Sequence, residues 1–300
     1  MPKSRLATVG LTVLGLHLAS CASPEGGGGA ELAATRQAVS QTGSQSLPAA
    51  SITWQLPELA KAPSLGIPVL GFEGTSVGSR AVVRDEGDTA EGVLAALGGS
   101  GIYVDTDTTI GTLWSVGRIE LRDRVTVAGE VHGTSLVKMN QVTVQGVTDL
   151  VTPPTAFRPL LVTYPAAAAA PTYWMEPGQS VQLSPQRYGT LRVPSNATAT
   201  LTSGEYFFES VQLESGSSLQ LSTATGPILL HVRGQLIWRG EVVNATGSNL
   251  LVAYDGGSEV VLDSALAGGL LAPGAKVSLR QGPSHKGAVM AREVDRKSVV

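Results

Sequence analysis

The body of this chain repeats itself at short, regular steps, and no other feature constrains its fold as much. "YGTLRVPSNATATL" (188–201) and "FESVQLESGSSLQL" (208–221) superimpose at a step of twenty. Leu191 then matches Val211, Val193 matches Leu213, Ser195 matches Ser215, Ala199 matches Leu219 and Leu201 matches Leu221. Within each copy the apolar residues alternate, as a strand with one buried face requires. "GIYVDTDTTIG" (101–111) and "GRIELRDRVTV" (117–127) align at seventeen through Ile102 and Ile119, Val104 and Leu121, Ile110 and Val127. Gly129 and Gly146 keep the same step. Near the C-terminus "LLVAY" (250–254), "LLAPG" (270–274) and "VMARE" (289–293) align at nineteen. That frame matches Leu251, Leu270 and Val289, then Val252, Leu271 and Met290, then Ala253, Ala272 and Ala291.

Steps of seventeen to twenty with glycine corners predict an all-β chain wound as a parallel β-solenoid, a β-helix whose inward residues bury against the next turn at ~4.8 Å between strands. The alternative is a β-sandwich or jelly roll, whose strands also recur every ~8–12 residues. The solenoid is preferred because equivalent positions keep their character across consecutive copies, which a sandwich does not require.

Two stretches interrupt the repeat. "DTAEGVLAALGG" places Val93, Leu94, Ala96 and Leu97 on one helical face before Gly98-Gly99, so a short helix is expected at 88–97. "VTPPTAFRPLLVTYPAAAAAPTYWMEPG" (151–178) carries six prolines and an alanine run. Proline at both ends argues against a helix through the alanines. This stretch is read as a connection between two solenoid segments, over 51–150 and 179–300, crossing the outside.

The first fifty residues are of another kind. Lys3 and Arg5 precede an uncharged apolar stretch, Leu6 to Ala19, too short for a comfortable permanent span. It ends in Leu18-Ala19-Ser20-Cys21, and Cys21 is the one cysteine of the chain. This resembles the lipobox of bacterial lipoproteins. The resemblance implies a signal peptide over 1–20 and a Cys21 whose sulfur takes a diacylglycerol (and whose new amino terminus is acylated). Several chains anchor stably where one does so only marginally, at ~0.8 kcal/mol per buried methylene. The other reading is an ordinary cleaved leader with an incidental cysteine. Ala22, where a sorting rule of that family would want Asp for inner-membrane retention, points to the outer membrane. Residues 21–50, with four consecutive glycines, read as a tether that as a coil reaches roughly 30 Å.

Composition narrows function by exclusion. One cysteine allows no internal disulfide, so packing must hold the fold. Charged residues make up 15 % of the chain, and loss of Lys3 and Arg5 with the leader moves the net charge from −3 to about −5. No basic stripe interleaved with aromatics suggests nucleic acid.

Candidates for chemistry are few. Asp85, Glu86 and Asp88 form one acidic cluster. Asp105 and Asp107, two apart, would share one side of a strand, with Arg118, Arg122 and Arg124 a turn further on. Solenoid lyases use aspartates for calcium and a basic group for proton abstraction, so this pair is a weak calcium or sugar candidate. The alternative is a salt-bridged solvent face. His132, His231 and His285 stand alone, without paired metal spacing, and no nucleophile-elbow or phosphate-loop motif occurs. No cofactor is expected. Trp54, Trp114, Trp174 and Trp238 could stack on sugars if they shared an exposed face, or plug the core.

Residues 249–294 are similar to the end of the choice-of-anchor A domain of secreted bacterial proteins. The similarity rests on Gly269-Leu270-Leu271-Ala272-Pro273-Gly274-Ala275-Lys276-Val277 and then Gly287-Ala288-Val289-Met290-Ala291. That family commonly has Asn where Gly274 stands. The segment 115–147 is similar in style to bactofilin-like polymer-forming repeats. Both resemblances imply an envelope or secreted solenoid used as a surface, adhesive or scaffold module, and neither implies a reaction. The expectation is a non-enzymatic cell-envelope lipoprotein. Its partners would be the membrane through its lipid and a second copy or envelope protein at a solenoid end. The alternative is a solenoid that binds or cleaves polysaccharide.

Overall fold

A computed structural model of the chain describes residues 69–83, 92–146, 148–150, 170–246, 249–280 and 285–296. The leader, Cys21, the tether, the Asp85–Glu86–Asp88 cluster and residues 151–169 lie outside the described residues.

The protein is an all-β parallel solenoid, which excludes the sandwich and the jelly roll. Its twenty-four described strands fall into one sixteen-stranded sheet and two four-stranded sheets. The repeats seen in sequence are the rungs. Leu191 pairs with Val211 and Val193 with Leu213. Ala199 pairs with Leu219 and Leu201 with Leu221. Ile102 pairs with Ile119, Val104 with Leu121, and Ile110 with Val127. Each of these faces inward and is buried.

Two expectations are corrected. No helix occurs among the described residues, and Val93–Ala96 is a strand with every residue buried. Its composition looked helical because both of its faces are covered, so apolar residues run consecutively instead of alternating. Leu94 and Ala96 point into the solenoid, while Val93, Ala95 and Leu97 join Leu70 in a separate cluster outside it. The nineteen-residue frame is also off by one in its first step. Leu251 pairs with Gly269 and Val252 with Leu270, a step of eighteen. The next step, Leu270 to Val289, is nineteen as expected. The doublets Leu250-Leu251 and Leu270-Leu271 fit either frame by composition. Only one frame puts Val252, Leu270 and Val289 in the core, because a one-residue slip exchanges the faces.

Stacking order differs from chain order. The first described strand, Val69–Val77, lies in the middle of the stack. On one side it pairs with Val93–Ala96 and Gly101–Val104, on the other with the last strand, Val289–Arg296. From this centre the N-terminal segment winds outward to Thr148–Leu150 at one end. The C-terminal segment begins at Tyr173–Trp174 at the opposite end and winds back to the centre. The first and last strands thus close one continuous stack.

Corners follow from backbone chemistry. Arg80, Asp107, Arg124 and Gln141 all adopt positive φ, between 57° and 59°, and the last three are seventeen apart, so left-handed corners stack into a column. Gly101 has φ of 71°, and a Cβ there would collide with the Arg118 carbonyl one turn on.

Candidate functional site

Asp105 and Asp107 do not lie on a strand. They occupy the corner between Gly101–Val104 and Thr109–Ile110. Asp105 accepts from the Ser79 hydroxyl at 2.8 Å and from the Thr106 amide at 2.8 Å, so it closes a turn. Asp107 faces Arg124 in a two-pronged pair of 2.6 and 2.9 Å. The hydrogen bond from Arg124, with the charges of Arg124 and Arg80, holds the Asp107 carboxyl below its ordinary range. Arg118 and Arg122, the latter just past the end of the strand Arg118–Leu121, both turn to Glu120 on that strand. The weak calcium or sugar candidate therefore resolves into turn bonds and ion pairs, and no three His, Cys, Asp or Glu side chains among the described residues could jointly hold a metal ion.

Most other ion pairs on the walls have the same logic and tie one turn to the next. Arg192 reaches Glu214 at 2.7 Å, and Asp263 takes both Arg239 and Arg280 at 3.1 Å. Lys276 lies 3.1 Å from both Glu293 and Asp295. Burial alone would lower its pKa, but bonds to these two carboxylates outweigh that and hold the ammonium above its ordinary value.

The three described tryptophans share no face. Trp238 is buried in the core and Trp114 is half-buried on the outer side of its strand. Trp174 is 67 % exposed on the terminal rung, with the Arg192 guanidinium 5.9 Å from its ring. Trp54 lies outside the described residues.

One arrangement was not anticipated. His231 is almost fully buried, stacks on Phe207 at 4.5 Å and meets Glu205 through Nε2 at 2.7 Å, and its Nδ1 has no hydrogen-bond partner. Both rings are on the outer side of their strands, because the residues flanking them, Tyr206, Phe208, Leu230 and Val232, form the inner core. Sequence offered one signal: Phe207 and Phe208 are adjacent, so on a strand one of them must face outward.

Fold and walls define the class: a parallel β-solenoid whose charges are largely committed to holding its own turns together. No family, no curated protein and no solved structure matches the chain.

Proposed function

We propose that this protein is a non-enzymatic lipoprotein of the bacterial cell envelope, a lipid-tethered β-solenoid that works as a scaffold by association at its ends. The observation that carries the reading is the state of those ends. Among the described strands, Thr143–Val144 and Thr148–Leu150 pair on one side only, as do Tyr173–Trp174 and Ser180–Leu183 at the opposite end. Some inward residues there are only half-buried, Leu136, Val142 and Val144 at one end and Val181 at the other, although Leu183 beside Val181 is buried. Unpaired strand groups beside half-covered apolar residues favour addition of another rung from a second copy or an envelope partner. The commitment of wall charges to neighbouring turns supports the same reading, since those groups are held by partners rather than poised toward a substrate. The Leu-Ala-Ser-Cys leader supports lipidation at Cys21 and a place at the outer membrane.

A polysaccharide-binding role is the second reading. It is favoured by Trp174, exposed on a terminal rung with a cation over its ring. The weak calcium or sugar candidates Asp105 and Asp107 lend it little, since both are held by internal partners.

Two measurements test the proposal. A fatty-acid analogue fed to cells should label the wild type and leave Cys21→Ala unlabelled, and equal labelling defeats the lipoprotein. Analytical ultracentrifugation of the wild type should show association that Val144→Lys combined with Val181→Lys abolishes, with the thermal midpoint nearly unchanged. A wild type that stays monomeric at high concentration and captures no envelope protein on crosslinking removes the end-association reading. Trp174-dependent retention on envelope glycan would then advance the second.

A further inference from the structure

Resting on the end association proposed above, we infer that the partner at each end is a second copy of this chain, stacked head to tail so that the solenoid continues across the joint. Direction decides the polarity. Every described strand pairing is parallel, so all strands run one way across the stack. Winding has one sense too. The N-terminal segment winds from Val69–Val77 out to Thr148–Leu150, and the C-terminal segment winds from Tyr173–Trp174 in to Val289–Arg296. Both advance the same way along the axis. A joint between unlike ends therefore keeps the strands parallel and the turns in order. A two-fold joint between like ends sets the strands antiparallel and breaks the columns of the core.

Register names the contacts. Tyr173 pairs with Leu191, Leu191 with Val211 and Val211 with Leu236. Trp238 pairs with Leu262, which sets Leu236 over Val260. Val260 continues to Val277, Val277 to Val294, Val294 to Thr75 and Thr75 to Ile102. Ile102 pairs with Ile119, and Ile119 with Leu136. One inward column thus starts at Tyr173 and finishes at Leu136. The ends are stepped to match. Thr148–Leu150 opens a further turn, and no described strand covers Ser135–Lys138. The C-terminal segment opens with a strand at that very position, Tyr173–Trp174, followed by Ser180–Leu183 on the second wall. Tyr173 of the next copy therefore falls over Leu136, and its Trp174 over Val137. Perimeters agree as well. The step is eighteen residues at one end, from Tyr173 to Leu191 and from Ser180 to Thr198. It is seventeen at the other, from Arg118 to Ser135 and from Thr126 to Thr143.

Side-chain chemistry points the same way. The outward column beside Tyr173 carries Arg192, Gln212, Ser278, Asp295, Ser76 and Glu120 along its length. Yet it ends in Trp174, the most exposed large apolar residue among those described, and in half-buried Val137. Apolar tips on a polar column suit a surface that another rung covers. Lys138 pairs with Leu121 in an inward column. That column already seats Arg296 between Leu279 and Val77 in mid-stack, so a cation there does not bar a further rung. Each joint between unlike ends leaves one free end of each kind, so addition continues into an open filament.

The test uses the full chain carrying Cys21→Ser, with Val137→Cys in one preparation and Trp174→Cys in another. The two are mixed as dilute monomers, concentrated, and treated with a short bismaleimide, which joins two thiols as thioethers. The mixture should shift to a crosslinked dimer on a denaturing gel. Each preparation alone should not, because like cysteines recur only every eleven spacings of ~4.8 Å along such a filament, about 53 Å. Met139→Cys with Glu176→Cys, two residues further along both strands, leaves Trp174 in place and should link in the same way. Val137→Cys linking to itself as well as to Trp174→Cys shows a two-fold joint, which overturns the head-to-tail polarity and leaves end association standing. Association in the ultracentrifuge with neither mixed pair linked overturns the register in the same manner. A wild type that never associates removes both this inference and the reading beneath it. Circular dichroism of each variant confirms that folded molecules are compared.

Discussion

The two segments solve the same packing problem at different girths. In the N-terminal segment successive rungs are mostly seventeen residues apart, as from Ile102 to Ile119 and from Thr126 to Thr143. Its second wall is made of two-residue strands such as Thr109–Ile110 and Thr126–Val127. Its core is wholly aliphatic, built from Val, Ile, Leu and Ala. In the C-terminal segment the step widens to twenty from Leu191 to Val211 and to twenty-five from Leu213 to Trp238. Second-wall strands grow to three to five residues, as in Ser180–Leu183 and Thr198–Thr202. The core then admits Tyr188, Tyr206, Phe208, Trp238 and Tyr254. Tyr188 and Phe208 stack at 5.1 Å, and the Tyr206 hydroxyl donates to the Leu183 carbonyl at 3.0 Å. A longer perimeter encloses a wider section, which only larger side chains can fill at interior density. Girth and residue size therefore change together, and the aromatic hydroxyls bring in the hydrogen bonds that a wider core needs.

A buried charge should break either segment, and this is the largest effect expected. Leu213→Asp and Ile119→Asp each place an unpaired carboxylate in a dry column, at a cost of several kcal/mol. Both should lose the cooperative thermal transition or shift it down by tens of degrees. The segments meet edge to edge through Val69–Val77 and Val289–Arg296, so each lesion should also loosen the other segment. Hydrogen exchange confined to the mutated segment would mean that the central junction does not couple them.

An overpacking probe sharpens the comparison further, with a smaller effect. Ile119→Phe puts a ring into the narrow aliphatic section and should cost roughly 1–3 kcal/mol. Leu221→Phe, in the wider section, should cost less, because that section already seats rings. Equal losses at both sites would separate girth from core composition.

Much of this contrast is legible in the sequence. Seventeen- and twenty-residue steps can be read off because alternation and glycine corners recur at matched positions. Val93–Ala96 could not be read as a strand, since burial on both faces erases its alternation. The register of Leu251 failed for a related reason: a Leu-Leu doublet satisfies two frames and only three-dimensional pairing chooses. The central junction has no local signal, because pairing of Val69 with Val289 joins residues 220 apart. Asp105 and Asp107 looked like a site because two acidic residues at i and i+2 imply a shared strand face; the left-handed corner at Asp107 sends them to separate partners.

Acid should tell the segments apart by the smallest effect. In the described N-terminal segment the one histidine, His132, is half-exposed and pairs with Glu130 at 2.8 Å. In the C-terminal segment His285 is half-buried, and its Nδ1 accepts from the Leu266 amide at 3.3 Å. Its Nε2 is buried without a partner. Burial, and then the charge of Arg296, push its pKa below the ordinary 6.5. Above that value the ring is neutral in both folded and unfolded chains, so pH has no leverage through it. As pH falls below about 6.5 the unfolded chain takes up a proton that the folded one resists, so stability declines toward the folded-state pKa. Protonation at Nδ1 would also remove the acceptor that holds Leu266. The wild type should therefore lose thermal midpoint as pH falls below about 6.5, by a few degrees. Exchange should rise first around 262–280 and 285–296 and leave 93–131 protected. His285→Gln should flatten that slope while lowering the midpoint modestly at pH 7. If the slope survives in His285→Gln, or if residues 93–131 loosen first, acid sensitivity does not belong to the wide segment and the contrast fails at this point.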